Sequence, residues 1–108
     1  MKYAQLFAKV RSEFTKADVS GIKEHLAYQF NITGEAEGIF YIEVKDGELH
    51  IEPYEYHDRD VMFTLSEDTL LKIAAGKLNP VAAFTMQKLK VEGNFDKALK
   101  LQEFIQAN

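Results

Sequence analysis

The sequence predicts an α+β domain of two layers, a sheet with one wet face and a set of helices covering the other. Two observations carry that expectation. Five segments alternate apolar with polar residues, and their outward positions are largely polar: Gln29, Asn31, Thr33, Glu43, Lys45, His50, Glu52, Thr64, Lys88, Lys90 and Glu92. Four other segments repeat apolar residues at helical spacing, and a sheet with a single dry face sends all of them to that face.

The first helix carries Tyr3, Leu6, Phe7, Val10, Phe14 and Ala17 on an arc of roughly 100°, one stripe that a sheet can cover. Asp18 to Gly21 breaks it. Leu26, Tyr28, Phe30 and Ile32 then alternate with Ala27, Gln29, Asn31 and Thr33 as a first strand. A turn at Gly34 to Gly38 leads to a second strand with Phe40, Ile42 and Val44 inward. Asp46-Gly47 signals a hairpin into a third strand holding Leu49 and Ile51, which Pro53 ends. After the charged, aromatic loop Tyr54 to Asp60, Val61, Phe63 and Leu65 form the inner face of a fourth strand.

Ser66 caps the next helix, Glu67 and Asp68 lie at its positive end, and Leu65 can staple onto Leu70. Gly76 closes that helix in the left-handed conformation. Asn79 caps a further helix with Pro80 at its first position. This helix is apolar nearly all round, with Val81, Ala82, Ala83, Phe84 and Met86 against Thr85 and Gln87, so one contact face cannot cover it. Leu89 and Val91 mark a fifth strand, and Asn94 caps a last helix. There Phe95, Ala98, Leu99, Leu101, Phe104 and Ile105 spread over roughly 220°. A deeper core, a protein partner or an apolar ligand would absorb this excess.

With 108 residues the chain suits one domain spanning 1–108. A net charge of −4 argues against a nucleic-acid partner, which needs a basic face. The absence of Cys excludes disulfides, thiolate metal sites and Cys nucleophiles, and fits a reducing compartment. The opening M-K-Y-A-Q-L-F-A-K-V builds no uninterrupted apolar run, so no signal peptide is expected and the cytoplasm is the plain location. His25, His50 and His57 have no metal-ligand spacing, and no nucleophile motif or nucleotide fingerprint is present. Neither a metal nor a cofactor is expected. The run Glu55, His57, Asp58, Arg59, Asp60 reads as a solvated loop. The inward strand positions carry no Asp or Glu, which gives an enzyme with a buried carboxylate little support.

One run of motifs extends this reading: Gly76-Lys77-Leu78-Asn79-Pro80 with Ala83-Phe84, then Lys88-Leu89-Lys90-Val91 and Gly93, then Ala98, Leu99, Leu101 and Gln102. Phe30, Ile32 and Gly34, the segment Tyr41 to Gly47 and the strand and cap Asp60 to Ser66 support it. In order and spacing the chain resembles the sterol carrier protein 2 domain along almost its whole length. The resemblance implies a five-stranded, mostly antiparallel sheet with helices on one face, enclosing an apolar tunnel. It also implies binding and transfer of a lipid ligand, whether fatty acid, acyl-CoA or sterol, with transient membrane contact. Gln87 departs from the family, whose members usually carry Gly before K-L-K.

For a ligand between the layers the expected contacts are Leu70, Leu71, Phe84, Met86, Leu101, Phe104 and Ile105, each of which an ordinary core position would explain as well. Tyr28 needs a partner for its hydroxyl, from the core or from a ligand headgroup. The last helix is the expected gate, because a terminal element parts at low cost. The alternative function is a protein-interaction or dimerisation module using the apolar helix faces, and the oligomeric state, monomer or dimer, stays open.

Overall fold

The computed structural model describes residues 2–17, 19–55 and 58–102. In chain order the elements are helix α1 (Tyr3–Thr15), strands β1 (Leu26–Thr33), β2 (Gly38–Lys45), β3 (Glu48–Glu52) and β4 (Val61–Ser66), helices α2 (Glu67–Ala74) and α3 (Pro80–Thr85), strand β5 (Leu89–Gly93) and helix α4 (Phe95–Leu99). The sheet runs β3-β2-β1-β4-β5. Its pairs are antiparallel except β1 with β4, which run parallel with Tyr28 opposite Val61 and Ile32 opposite Leu65.

The inward strand residues form an aromatic layer at the centre. Phe30 stacks on Phe40 with centroids 4.7 Å apart, Phe63 lies 5.0 Å from Phe30, and Tyr28 lies 5.5 Å from Phe63. From α1, Phe14 reaches the same layer at 6.2 Å from Phe30. These five rings are all buried, and each contributes on the order of 1.5–3 kcal/mol of burial. The stripe of α1 supplies Leu6, Val10 and Phe14 to the core, with Tyr3 and Phe7 half-buried at its edge.

Both predicted caps on the paired helices form. The Ser66 hydroxyl accepts from the Thr69 N–H at 3.2 Å, and the Asn79 side chain accepts from the Val81 N–H at 2.7 Å. At the end of α2, Gly76 has φ of 75°, and the N–H groups of Lys77 and Gly76 return to the carbonyls of Lys72 and Ile73. That double return closes the helix and needs the left-handed residue. The end of α3 repeats it: the N–H groups of Lys88 and Gln87 return to Ala83 and Phe84. Here the left-handed residue is Gln87, with φ of 61°. A side chain at this left-handed position costs about 1 kcal/mol or more.

Two expectations are corrected. Gln29, assigned to the wet face, is 3% exposed, because β1 is the central strand and its neighbours' side chains reach over it. Its amide donates to Asn31 at 2.9 Å and to the Met62 sulfur at 3.8 Å, and Arg59 donates to its carbonyl at 3.4 Å. The loop before β4 is not wholly solvated either. Asp60 is only partly exposed and acts as a clamp: one carboxylate oxygen accepts from the Ala27 N–H at 3.0 Å and the other lies 3.2 Å from the Lys97 ammonium. Within that run, Glu55 and Asp58 are exposed, while His57 falls outside the described residues.

Candidate functional site

The short α3 buries only Pro80 and Ala83, and α4 buries Ala98. Each helix therefore leaves an apolar flank, and the two flanks face one another over the last two strands. Between them lies a cavity of about 370 Å³. Phe63, Leu89 and Val91 form its floor; Pro80, Val81, Phe84 and Thr85 form the α3 wall; Phe95, Ala98, Leu99 and Gln102 form the α4 side. Among the described residues no charged side chain lines it. Its described polar members are Thr85 and Gln102, and the Thr85 hydroxyl donates to its own helix at the Val81 carbonyl, 3.0 Å away. The volume lies near the lower end of the 300–1,000 Å³ or so typical of small-molecule sites.

The mouth is apolar as well. Val81 is 41% exposed, Phe84 47%, Phe95 55% and Leu99 54%, with the Phe84 and Phe95 rings edge to face at 6.1 Å. Large apolar side chains left half in water beside an apolar hollow gain free energy when an apolar molecule covers them.

The residues singled out from the sequence divide among different places. Phe84 lines the cavity. Leu70 and Leu101 are fully buried in the main core, and Leu71 packs against that core half-buried. Met86 stands 50% exposed at the end of α3, outside the cavity wall. Phe104 and Ile105 lie outside the described residues. The cavity is also lined by Phe63, Leu89, Val91, Phe95 and Leu99, which sequence reasoning did not single out. Phe95 and Leu99 were legible as the flank of an over-wide apolar arc, whereas the strand residues were indistinguishable from core.

The cavity's α4 side is moored by polar contacts. The Tyr28 hydroxyl donates to the Lys97 carbonyl at 2.6 Å, so this buried tyrosine is satisfied by the chain itself. The Lys97 ammonium donates to the His25 carbonyl at 3.2 Å besides pairing with Asp60. Lys100 pairs with Glu24 at 3.0 Å. The backbone closes the same corner: Asn94 N–H donates to the Asp60 carbonyl at 3.0 Å, and a Cβ on Gly93, whose φ is 112°, would lie 2.3 Å from that oxygen. Among the described residues no group of three His, Cys, Asp or Glu is placed to hold a metal, and no helix is long and apolar enough to cross a membrane.

Comparison with known proteins gives this geometry a family. The model of the SCP-2 sterol transfer family matches residues 4–106. Hydroxysteroid dehydrogenase-like protein 2 of Bos taurus is 37% identical over 79 residues, which is 72% of this chain and 19% of that protein. The chain thus spans a minor part of the length of such relatives. The solved sterol carrier protein domain 2 of Helicoverpa armigera is 29% identical, with a TM-score of 0.62 over 95% of this chain and 72% of that one. The palmitated SCP2L2 of Aedes aegypti shares the fold at 23% identity, with a TM-score of 0.70 over 97% and 95% of the two chains. With the family model matching nearly end to end, the chain belongs to the SCP-2 sterol transfer family.

Proposed function

We propose that residues 1–108 form one lipid-binding domain that takes an acyl chain or another apolar lipid into the cavity between α3, α4 and the β4–β5 floor, and passes it on. The observation that carries this is a cavity whose described walls hold no charged side chain and whose mouth exposes Val81, Phe84, Phe95 and Leu99. Burying a methylene contributes about 0.8 kcal/mol, so a chain of about twelve supplies roughly 10 kcal/mol before association costs. No polar recognition is needed for that, and the cavity offers little. The palmitated Aedes aegypti protein, alike in fold, supports a fatty acid as the ligand to try first. Phe84, Phe95 and Leu99 are the contacts we assign. Leu70 and Leu101 act through the core that holds the helices.

The domain works as a carrier and not as a catalyst, and the cytoplasm is the compartment we assign to it. The moorings of α4 make α3 the cheaper wall to move on lipid entry, since α3 buries only Pro80 and Ala83 and meets α4 through the Phe84–Phe95 edge contact, with a long hydrogen bond from Asn79 to Gln102 just beyond α4 at 3.4 Å. The test is native mass spectrometry of freshly purified protein with extraction of what co-purifies. An adduct of lipid mass, displaced by added fatty acid, is the expected result. A lipid-free chain that takes up neither fatty acid nor sterol would overturn the reading.

A further inference from the structure

Helix α4 is five residues long, too short to hold its conformation alone in water, and the one side chain it buries is Ala98. Apolar packing therefore fixes it weakly until Leu101, just beyond its end, enters the core. The polar contacts that fix it converge on Lys97. The Lys97 carbonyl accepts from the Tyr28 hydroxyl at 2.6 Å, and the Lys97 ammonium lies 3.2 Å from the Asp60 carboxylate and 3.2 Å from the His25 carbonyl. Asp60 is tied in turn to β1: its carboxylate accepts from the Ala27 N–H at 3.0 Å, and its own N–H donates to the Ala27 carbonyl at 2.8 Å. The Lys97 and Asp60 side chains are each about a quarter exposed, so water and salt screen their pairing incompletely.

Helical geometry connects this corner to the cavity. Residues two apart lie about 200° apart around a helix, so Phe95 and Leu99, on either side of Lys97 in the chain, both point away from its side chain. One flank of α4 is moored and the opposite flank is cavity wall. Tyr28 makes a second link, because its ring lies 5.5 Å from that of Phe63 in the cavity floor while its hydroxyl holds α4. None of Tyr28, Asp60 and Lys97 lines the cavity itself.

We propose that Tyr28, Asp60 and Lys97 are positioning residues that latch α4 to the sheet, and that this latch sets how fast a bound lipid leaves. The proposal rests on the carrier reading, to which it adds the control of release. With the latch closed, Phe95 and Leu99 are held ready for the lipid, which passes on the α3 side only. With the latch broken, α4 parts from β4 and β5 as well, and a second way in and out opens. Both rates then rise, and their ratio changes less than either.

The test is stopped-flow binding of a fluorescent fatty acid to the full chain, and its release into excess unlabelled fatty acid. Tyr28→Phe removes one hydroxyl and keeps the ring; it should speed release about threefold to tenfold, the factor that one hydrogen bond commonly carries. Lys97→Met should do at least as much, and Lys97→Arg, which keeps a cation for Asp60, should return much of the way. Lys72→Gln is the control: it breaks the pair with Asp68 on α2, away from the cavity wall, and should leave both rates unchanged. Hydrogen exchange of the segment 94–102 should quicken in Tyr28→Phe and Lys97→Met without lipid present, which reads the latch independently of binding. Unchanged release in both variants, each folded by urea denaturation, would overturn the latch and leave the carrier reading standing. So would faster release in Lys72→Gln to the same degree, because a general loss of stability would then explain it. An unaltered protein that takes up no fatty acid would end the carrier reading and the latch's role with it.

Discussion

Replacing Phe84 by Ala separates the cavity from the core. An aromatic side chain presents about 150–250 Å², and Phe84 is 47% exposed, so roughly 70–120 Å² of it remains for a ligand to cover. At about 25 cal/mol per Å², full coverage would supply about 2–3 kcal/mol. Partial coverage, and the methyl that Ala retains, reduce the expected loss to about 1–2 kcal/mol, a fivefold to thirtyfold weaker fatty-acid affinity. Stability should fall by no more than about 1–1.5 kcal/mol, since only half of the ring is buried in the free protein. Leu70→Ala is the counterpart. Leu70 is 0% exposed and lies away from the cavity wall, so its loss should cost about 2–5 kcal/mol of folding free energy and leave the affinity of the folded protein nearly unaltered. Titration with a fluorescent fatty acid, paired with urea denaturation of each variant, measures both quantities. Unchanged affinity in Phe84→Ala, or a large affinity loss in a still-stable Leu70→Ala, would refute the assignment of the ligand to the α3–α4 cavity.

Three further outcomes concern the frame around the cavity. Gln87→Gly should stabilise the chain by about 1 kcal/mol in urea denaturation, because it relieves a left-handed side chain at the end of α3 while keeping both closing hydrogen bonds. Asp60→Ala leaves the buried Ala27 N–H without its acceptor and Lys97 without its acid, a loss of about 2–3 kcal/mol that Asp60→Asn should partly restore, again read in urea. Burial raises the Tyr3 hydroxyl above its ordinary pKa of 10.0, where it donates to the Ile39 carbonyl at 2.6 Å. Its contribution is therefore complete below pH 10 and lost as pH climbs through the raised value, so Tyr3→Phe should flatten the fall of stability on the alkaline side in a pH series of thermal melts.

Much of the frame was legible locally. The caps Ser66 and Asn79, the terminator Gly76 and the strand over Leu26 to Ile32 each depend on neighbours a few residues away, and each forms where its pattern predicts. Gln29 failed for a reason of topology. Alternation reports which face a side chain is on, whereas its burial depends on β1 being central, and that follows from which strands pair. Asp60 failed similarly: in a charged run it looked solvated, and only the approach of Ala27 and Lys97 makes it a clamp.

By itself the sequence determined the two layers, the five strands and four helices, and the fact that the helices after β4 hold more apolar surface than one contact covers. Those properties follow from periodicity and capping, which are local. The tertiary structure alone decided the parallel pairing of β1 with β4, the mooring of α4 to Tyr28 and Asp60, and the place where the excess apolar surface meets. A helix's apolar arc records how much surface must be covered and not which flank the sheet takes. Leu70 and Leu101 went to the core, while Phe84, Phe95 and Leu99 were left around an open hollow, because the packing of α3 and α4 on β5 chose between them.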